Sequence, residues 1–263
     1  MSAAPTPGAG SPLAALGGLF DRVFVVTLAR ARDRQARMRE RLAGVPYRFL
    51  EGADAAAFRV EDLVRDGTYD PARARAVDRY DRELRPGQLG CALSHRQVYE
   101  ETARNGWRRV LVLEDDVLPR LDDLAALPAA VAELPPDWDL AYLGYGNLRT
   151  VTARDRAKQA LYLAGAALRL MKWRPSQVLR FHPRPFSAHL DVAGLHHGTY
   201  AYAISAAGAR KLLEAQTPVA YVADQLFVQL VLAGKLRAFV TKPRFFDHED
   251  APPGEPRSFV RAG

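Results

Sequence analysis

Residues 109–117 read RVLVLEDDV. Val110 to Leu113 are an unbroken aliphatic run, the pattern of a strand covered on both faces. The run passes without a turn residue into Glu114, Asp115 and Asp116. A doubly covered strand belongs to an α/β sheet, and such sheets bind ligands at the carboxyl ends of their strands. Three adjacent acids raise one another's pKa, a cost that a hard divalent cation removes. Glu114 and Asp116, two apart on an extended strand end, point the same way, with Asp115 on the other side. The pair reads as an oxygen ligand set for Mn²⁺ or Mg²⁺ that holds a diphosphate. The alternative is a solvated turn whose acids cap the next element of the chain.

Outward from this strand, the pattern alternates. Arg22–Leu28 (RVFVVTL) is a second buried strand. Ala31–Ala43 is an Arg-dense helix with Met38 and Leu42 four apart, ended by Gly44, and Tyr47–Leu50 is a further strand. Arg59–Arg65 reads as a short helix and Tyr69–Arg85 as a loop with helical turns. Pro86–Arg104 is a helix with Leu89, Ala92, Tyr99 and Ala103 on one face, stopped by Asn105-Gly106. Leu121–Leu134 is a helix, Asp139–Leu143 a strand, Thr199–Ile204 a strand, Ala206–Ala215 and Asp224–Ala233 helices, and Leu236–Val240 a strand that closes the core. Strands alternating with helices imply an α/β fold with a mixed, mostly parallel sheet flanked by helices.

The chain has 263 residues, 48% of them apolar and 25% charged. That length suits one domain over 20–250, with tails at 1–19 and 251–263, and the composition excludes a disordered or fibrous chain. The single cysteine, Cys91, excludes an intramolecular disulfide and a Cys-rich zinc site. No apolar run is long enough to span a bilayer, and Met1–Ser11 lacks the basic and apolar blocks of a secretion signal, so a cytoplasmic location is expected. The net charge of +7 is concentrated in one place. Nine basic residues (Arg149, Arg154, Arg156, Lys158, Arg169, Lys172, Arg174, Arg180, Arg184) and one acid, Asp155, fall within 149–184. A basic helical insertion over 149–190 is therefore expected on the acceptor side of the site. It has no regularly interleaved aromatics, zinc signature or helix-turn-helix pattern, which argues against a nucleic-acid partner.

Within that insertion, Ala160–Trp173 (ALYLAGAALRLMKW) reads as a helix. Leu161, Leu168 and Met171 share a face with Ala164 and Ala167, and Arg169 and Lys172 lie away from it. Such a helix either lies on an anionic membrane surface, giving a peripheral contact through 149–184 at the inner membrane face, or packs as a lid whose Arg residues receive an acidic acceptor.

There is no Walker phosphate loop and no G-x-G-x-x-G. Instead the first strand leads into Thr27, Leu28, Ala29, Arg30, Ala31, Arg32, Asp33 and Arg34. Arg at a strand end and helix start suits a nucleotide diphosphate, or else belongs to a solvated charged helix. Ser94-His95 lies on the Pro86–Arg104 helix, where His95 is a ligand contact or a satisfied structural histidine. No Ser-His-Asp or Cys-His order is supported.

GQLGCALSHRQVYEE (87–101) followed by RVLVLEDDV resembles family 25 of the glycosyltransferases, whose members build lipopolysaccharide or lipooligosaccharide outer cores or glycosylate collagen hydroxylysine. VFVVTLARARDRQARM (23–38) is similar to that family's strand and N-L-x-R-x-x-D-R, with Thr27 in place of Asn. HHGTYAYAISAAGARKLL (196–213) and PVAYVADQLF (218–227) resemble the family's G-T-x-x-Y-x-I-S-x-x-G-A-x-K-L and P-x-x-x-V-D segments.

The resemblance implies a GT-A-type, Rossmann-like fold, a UDP-sugar donor and an acidic metal motif. It implies Glu114 and Asp116 as the D-x-D-like pair, with His248 as a third ligand or a surface histidine. Thr27, Leu28, Arg30, Asp33, Arg34, Ser94, His95 and Asp115 would lie near the nucleotide-sugar. Asp224 would be the general base in an inverting transfer, or a helix N-cap. The expected reaction moves a hexose, galactose ahead of glucose, to an unidentified acceptor hydroxyl. The alternative is a non-catalytic nucleotide-sugar- or glycan-binding protein with the same fold.

Overall fold

The computed structural model describes residues 12–146 and 151–249. In chain order they form α1 (Leu16–Leu19), β1 (Arg22–Thr27), α2 (Arg32–Arg41), β2 (Arg48–Glu51), α3 (Val60–Arg65), α4 (Pro71–Val77), α5 (Pro86–Asn105), β3 (Val110–Glu114), β4 (Val117–Pro119), α6 (Leu127–Ala132), β5 (Leu140–Gly146), α7 (Ala153–Ala167), α8 (Pro175–Val178), β6 (Arg184–Pro185), β7 (Leu190–Val192), β8 (His197–Ile204), α9 (Ala206–Ala215), α10 (Ala223–Leu232), β9 (Ala238–Thr241) and β10 (Phe246–His248).

An 8-stranded sheet runs β2-β1-β3-β8-β5-β9-β7-β6, and β10 pairs with β4 in a separate ribbon. β1 is parallel to β2 and β3, and β5 is parallel to β9. β8 is antiparallel to both β3 and β5, and β7 to β9 and β6. β2, β1, β3, β5, β9 and β6 thus point one way, and β8 and β7 the other. The carboxyl ends of β1, β3, β5 and β9 share one edge.

Side chains alternate across the sheet as the strand period demands. Val23, Val25, Leu111, Leu113, Ala141 and Leu143 enter one core with Leu16, Met38 and Leu127. Phe24, Val110, Val112, Leu140 and Tyr142 enter the other with Val98, Leu212 and Phe227. Each fully buried Leu, Val or Phe contributes about 1.5–3 kcal/mol relative to exposure, so the buried strands dominate the stability. This is the mixed, mostly parallel sheet flanked by helices that the alternation implied.

The structure corrects several boundaries. Leu13 and Leu16, expected in the 1–19 tail, are buried in the first core. The expected Leu121–Leu134 helix is a 3-10 turn at Leu124–Ala126 followed by the six-residue α6. Pro128 is the reason: it has no N–H and its ring crowds the preceding turn, so it fits only at a helix start. The strand ending the expected core, β9, is not the sheet's edge, because β7 and β6 add beyond it. The basic insertion is therefore not wholly helical. The expected 251–263 tail and Arg149 lie outside the described residues.

The helix expected at 160–173 starts at Ala153, where Thr152 and Asp155 form a capping box, and ends at Ala167. Leu168 closes it and Arg169 turns left-handed at φ 58°. The buried face is Tyr162, Leu163 and Ala166, which pack on Val228 and Leu232 of α10. Leu161 and Leu168, expected to share the helix's apolar face, are both 70% exposed and lie off the face that packs on α10. Lys172 is tied inward, donating to the carbonyls of Arg75 (3.1 Å) and Asp78 (2.5 Å) and to Asp81 Oδ1 (2.7 Å). No described helix is long and apolar enough to cross a membrane.

α9 is anchored to the start of β5 through Asp139. Its buried carboxylate pairs with Lys211 at 2.5 Å and accepts the Arg237 N–H at 2.8 Å. Ser205 caps α9 by accepting from the Gly208 N–H at 3.0 Å. Gly208 itself lies so close that a Cβ would stand 2.1 Å from the Asp139 carbonyl oxygen, a backbone atom that cannot swing away. Gly208→Ala is expected to cost about 1–3 kcal/mol by overpacking and to lower the melting temperature by several degrees in thermal unfolding.

Candidate active site

Thr27, Leu28, Arg30, Arg34, Ser94, His95, Glu114, Asp115 and Asp116 line one cavity at the carboxyl ends of β1 and β3. The register explains the convergence: Val26 at the end of β1 lies beside Glu114 at the end of β3. Asp33 is on the exposed side of α2 and does not line the cavity. The sequence reading missed Asp54 and Cys91, which do.

The three acids are divided differently from the period-two expectation, because β3 ends at Glu114 and Asp115 and Asp116 sit in the turn before β4. Asp115 and Asp116 share the buried Arg34, whose Nη1 donates to Asp115 Oδ1 at 3.0 Å and to Asp116 Oδ2 at 3.3 Å. Thr27 Oγ1 donates to Asp115 Oδ2 at 2.6 Å. The hydroxyl of Thr27 is thus directed to the acid cluster, which its place at the end of a buried strand makes possible. Glu114 faces the other way. Its Oε1 accepts from Thr199 Oγ1 at 2.5 Å and lies 3.5 Å from His95 Nε2. His95 is buried and is fixed in turn by Tyr202, whose hydroxyl is 2.8 Å from Nδ1.

Electrostatics follow from this geometry. Burial pushes the Glu114 carboxyl up, but the His95 and Thr199 bonds outweigh it and hold the group below its ordinary value. Burial, then the neighbouring Glu114 charge, push Asp116 up to about 7 against the pull of Arg34. Asp116 Oδ1 is buried and has no hydrogen-bond partner. An orphaned carboxylate oxygen beside a second carboxylate is a donor set that fits a divalent cation. Among the described residues no three His, Cys, Asp or Glu side chains converge at metal-binding distances.

The remaining expected residues take varied places. Ser94 Oγ accepts the Ala53 N–H at 2.9 Å and donates to the Gly90 carbonyl at 2.7 Å, so it clamps the 52–55 loop onto α5. Arg30 pairs with Asp54 across the cavity mouth. The Leu28 carbonyl accepts from Gln35 Nε2 at 2.9 Å. Asp224 is not the N-cap of α10: Val222 holds that position with no side-chain cap, and Asp224 lies within the first turn. Its Oδ2 is 3.4 Å from His197 Nδ1. His248 lies opposite Val117 in the β10–β4 ribbon, with its ring 5.1 Å from that of Tyr200. The next backbone N–H, of Glu249, donates to the Asp116 carbonyl at 2.8 Å.

The sequence profile described as "Glycosyltransferase family 25 (LPS biosynthesis protein)" matches residues 20–227. The chain belongs to this family. It is 32% identical over 210 residues to "Probable inactive glycosyltransferase 25 family member 3" of Rattus norvegicus, covering 75% of this chain and 30% of that protein. It is 29% identical over 208 residues to "Procollagen galactosyltransferase 1" of Danio rerio (75% and 29%). Against "Procollagen galactosyltransferase 2" of Homo sapiens it is 30% identical over 138 residues (48% and 21%). The chain spans about three tenths of the length of the curated relatives it matches over most of its own length.

Asp116 makes stability pH-dependent with a defined sign. Its folded pKa of about 7 lies above the ordinary 3.8, so the folded state binds the extra proton and stability falls as pH rises across that window. In metal-free buffer, Asp116→Asn is expected to melt several degrees above the wild type at pH 8, with the gap closing toward pH 5. Parallel Tm–pH curves for the two proteins would contradict this.

Proposed function

We propose that this protein is an inverting, metal-dependent glycosyltransferase that moves a hexose, galactose ahead of glucose, from a UDP-sugar to a hydroxyl of a glycan, lipid-linked glycan, protein or small molecule. The observation that carries the proposal is the orphaned Asp116 oxygen, packed with Arg34 and Glu114 in one cavity at the strand ends of a family 25 chain. The galactosyltransferase relatives support the reaction class. The naming of other relatives as inactive supports a second reading, a nucleotide-sugar-binding protein without turnover.

In the proposed reaction Mn²⁺ or Mg²⁺, when bound, offsets charge on the departing diphosphate. Asp116 and Glu114 would hold it; His248, expected as a third ligand, does not converge with them at metal-binding distance. Arg34 sets the orientation of Asp115 and Asp116 through its two bonds. Arg30, more than half exposed, is available to the diphosphate once it leaves Asp54. His95 and Thr199 keep Glu114 ionised and aimed. Asp224 takes the acceptor's proton as the hydroxyl attacks the anomeric carbon opposite the leaving UDP. His197, with Nδ1 3.4 Å from Asp224 Oδ2, orients it.

Transfer and hydrolysis assays over a panel of UDP-sugars separate the two readings: turnover with none of them leaves only binding. Asp224→Asn is expected to keep near-normal UDP-sugar affinity and melting temperature while lowering turnover about 10²-fold or more. Unchanged turnover would remove Asp224 from the reaction. In calorimetry, Mn²⁺ is expected to tighten UDP binding in the wild type and to have no effect in Asp116→Asn. Equal wild-type affinity with and without Mn²⁺ would reject the metal.

A further inference from the structure

A second cleft, of about 850 Å³, opens between α7, the β6–β7 hairpin and the carboxyl ends of β5 and β9. Its size is that of a ligand pocket. We infer that this cleft is the acceptor site, and that it takes a sugar bearing a phosphate or carboxylate. The inference rests on the proposed transfer reaction and names the acceptor class for it.

Position is the first argument. Tyr145 and Val240 bring the cleft to the ends of β5 and β9. These lie on the same sheet edge as the ends of β1 and β3, where the first cavity is. The strand between them, β8, begins with His197, which pairs with Gly146 of β5 and faces Asp224. Two residues on, Thr199 bonds Glu114 of the first cavity. His196, immediately before β8, lines the second cleft. Asp224 and His197 therefore stand between the two spaces. The wall is also continuous, since α7 and α8 pack on the same α10 that carries Asp224.

Charge is the second argument. Each of the cleft's two acids has a partner: Asp191 Oδ1 forms an ion pair with Lys242 at 2.6 Å, outside hydrogen-bond geometry, and Asp155 closes the capping box with Thr152. Arg156 and Lys158 also line the cleft, are exposed, and have no carboxylate partner among the described residues. Lys158 Nζ stands 5.5 Å from the centre of the Tyr162 ring. This positive charge sits on the α7 wall of the cleft, where a phosphate or carboxylate gains charge-assisted hydrogen bonds.

The third argument is the lining. Tyr162 is half-buried in the cleft wall and backed edge to face by the buried Phe181, 6.1 Å away, so its ring is held in place as apolar surface for the C–H face of a sugar ring. His182 also lines the cleft, and its Nε2 is buried without a hydrogen-bond partner. The aromatic wall suits any sugar ring, and the exposed Arg156 and Lys158 are what favour an anionic sugar over a neutral one.

Ligand-observed NMR with glucuronate, glucose 6-phosphate and neutral glucose tests this directly. The anionic sugars are expected to bind at least about tenfold more tightly than glucose, a difference of about 1.4 kcal/mol, and the preference should shrink with salt. Arg156→Glu/Lys158→Glu should abolish the preference, and Arg156→Gln/Lys158→Gln should reduce it. UDP binding, measured on the same samples, reports that the variants are folded. Equal binding of glucose and the anions, no binding of either anion, or unchanged binding by the charge-reversed variant overturns the inference. The outward Leu161 and Leu168 make a bilayer-borne acceptor the second arm. Co-sedimentation with glucuronosyl-diacylglycerol vesicles that free glucuronate competes away assigns the sugar to a lipid, and binding of free glucuronate alone assigns it to a soluble acceptor. Vesicle binding that glucuronate cannot compete, and that phosphatidylglycerol reproduces, places the contact outside the cleft and overturns the inference. Failure of UDP to bind the wild type overturns the transfer reaction and leaves the sugar-binding result to be read by itself.

Discussion

The site is built around one buried guanidinium. Arg34, at the start of α2, bonds both Asp115 and Asp116 in the turn after β3, so two segments far apart in the chain are locked across the end of the sheet. One cation among three carboxylates leaves the cluster short of positive charge. The shortfall appears at Asp116, held near pH 7 with a bare oxygen. Removing Arg34 would leave two buried carboxylates unpaired, which costs far more than the pair itself contributes. In the proposed reaction, a bound metal ion would offset that imbalance.

Around this centre, hydroxyls set geometry. Thr27 orients Asp115, Thr199 orients Glu114, Ser94 clamps the 52–55 loop to α5, and Tyr202 fixes His95. Each of these bonds joins elements that are distant in sequence but adjacent in the sheet or packed on it. The acidic cluster is therefore held from β1, α5 and β8 at once, and its charges can be placed before any ligand arrives. Preorganisation of this kind is what a site acting on a developing diphosphate charge needs.

The basic segment extends the same sheet. β7 pairs with β9, β6 with β7, and α7 and α8 cover α10. Lys172 ties its far end to the turn after α4. A segment built into the edge of the sheet is positioned by the strand order itself, which is why its cleft opens on the same edge as the acidic cavity.

Much of this was legible in the chain. The apolar runs at 22–28 and 110–113 read as buried strands, Gly106 marked a helix end by its local chemistry, and RVLVLEDDV put acids at a ligand-binding strand end. Period and capping are local properties, so they survive in the sequence. Other features depend on which strands become neighbours. Alternation at a strand end suggested that Glu114 and Asp116 act together, but the turn after β3 put Asp116 with Asp115 on Arg34. Asp224 had the residue type of an N-cap, but Val222 took the cap and left Asp224 facing His197. Thr199 and Tyr202 stood out only as letters of the G-T-x-x-Y segment and Asp54 not at all, because their roles come from partners 24 to 107 residues away. The exposed Leu161 and Leu168 show the same limit: helical spacing defined a stripe, and only the packing of α7 on α10 decided which stripe was buried.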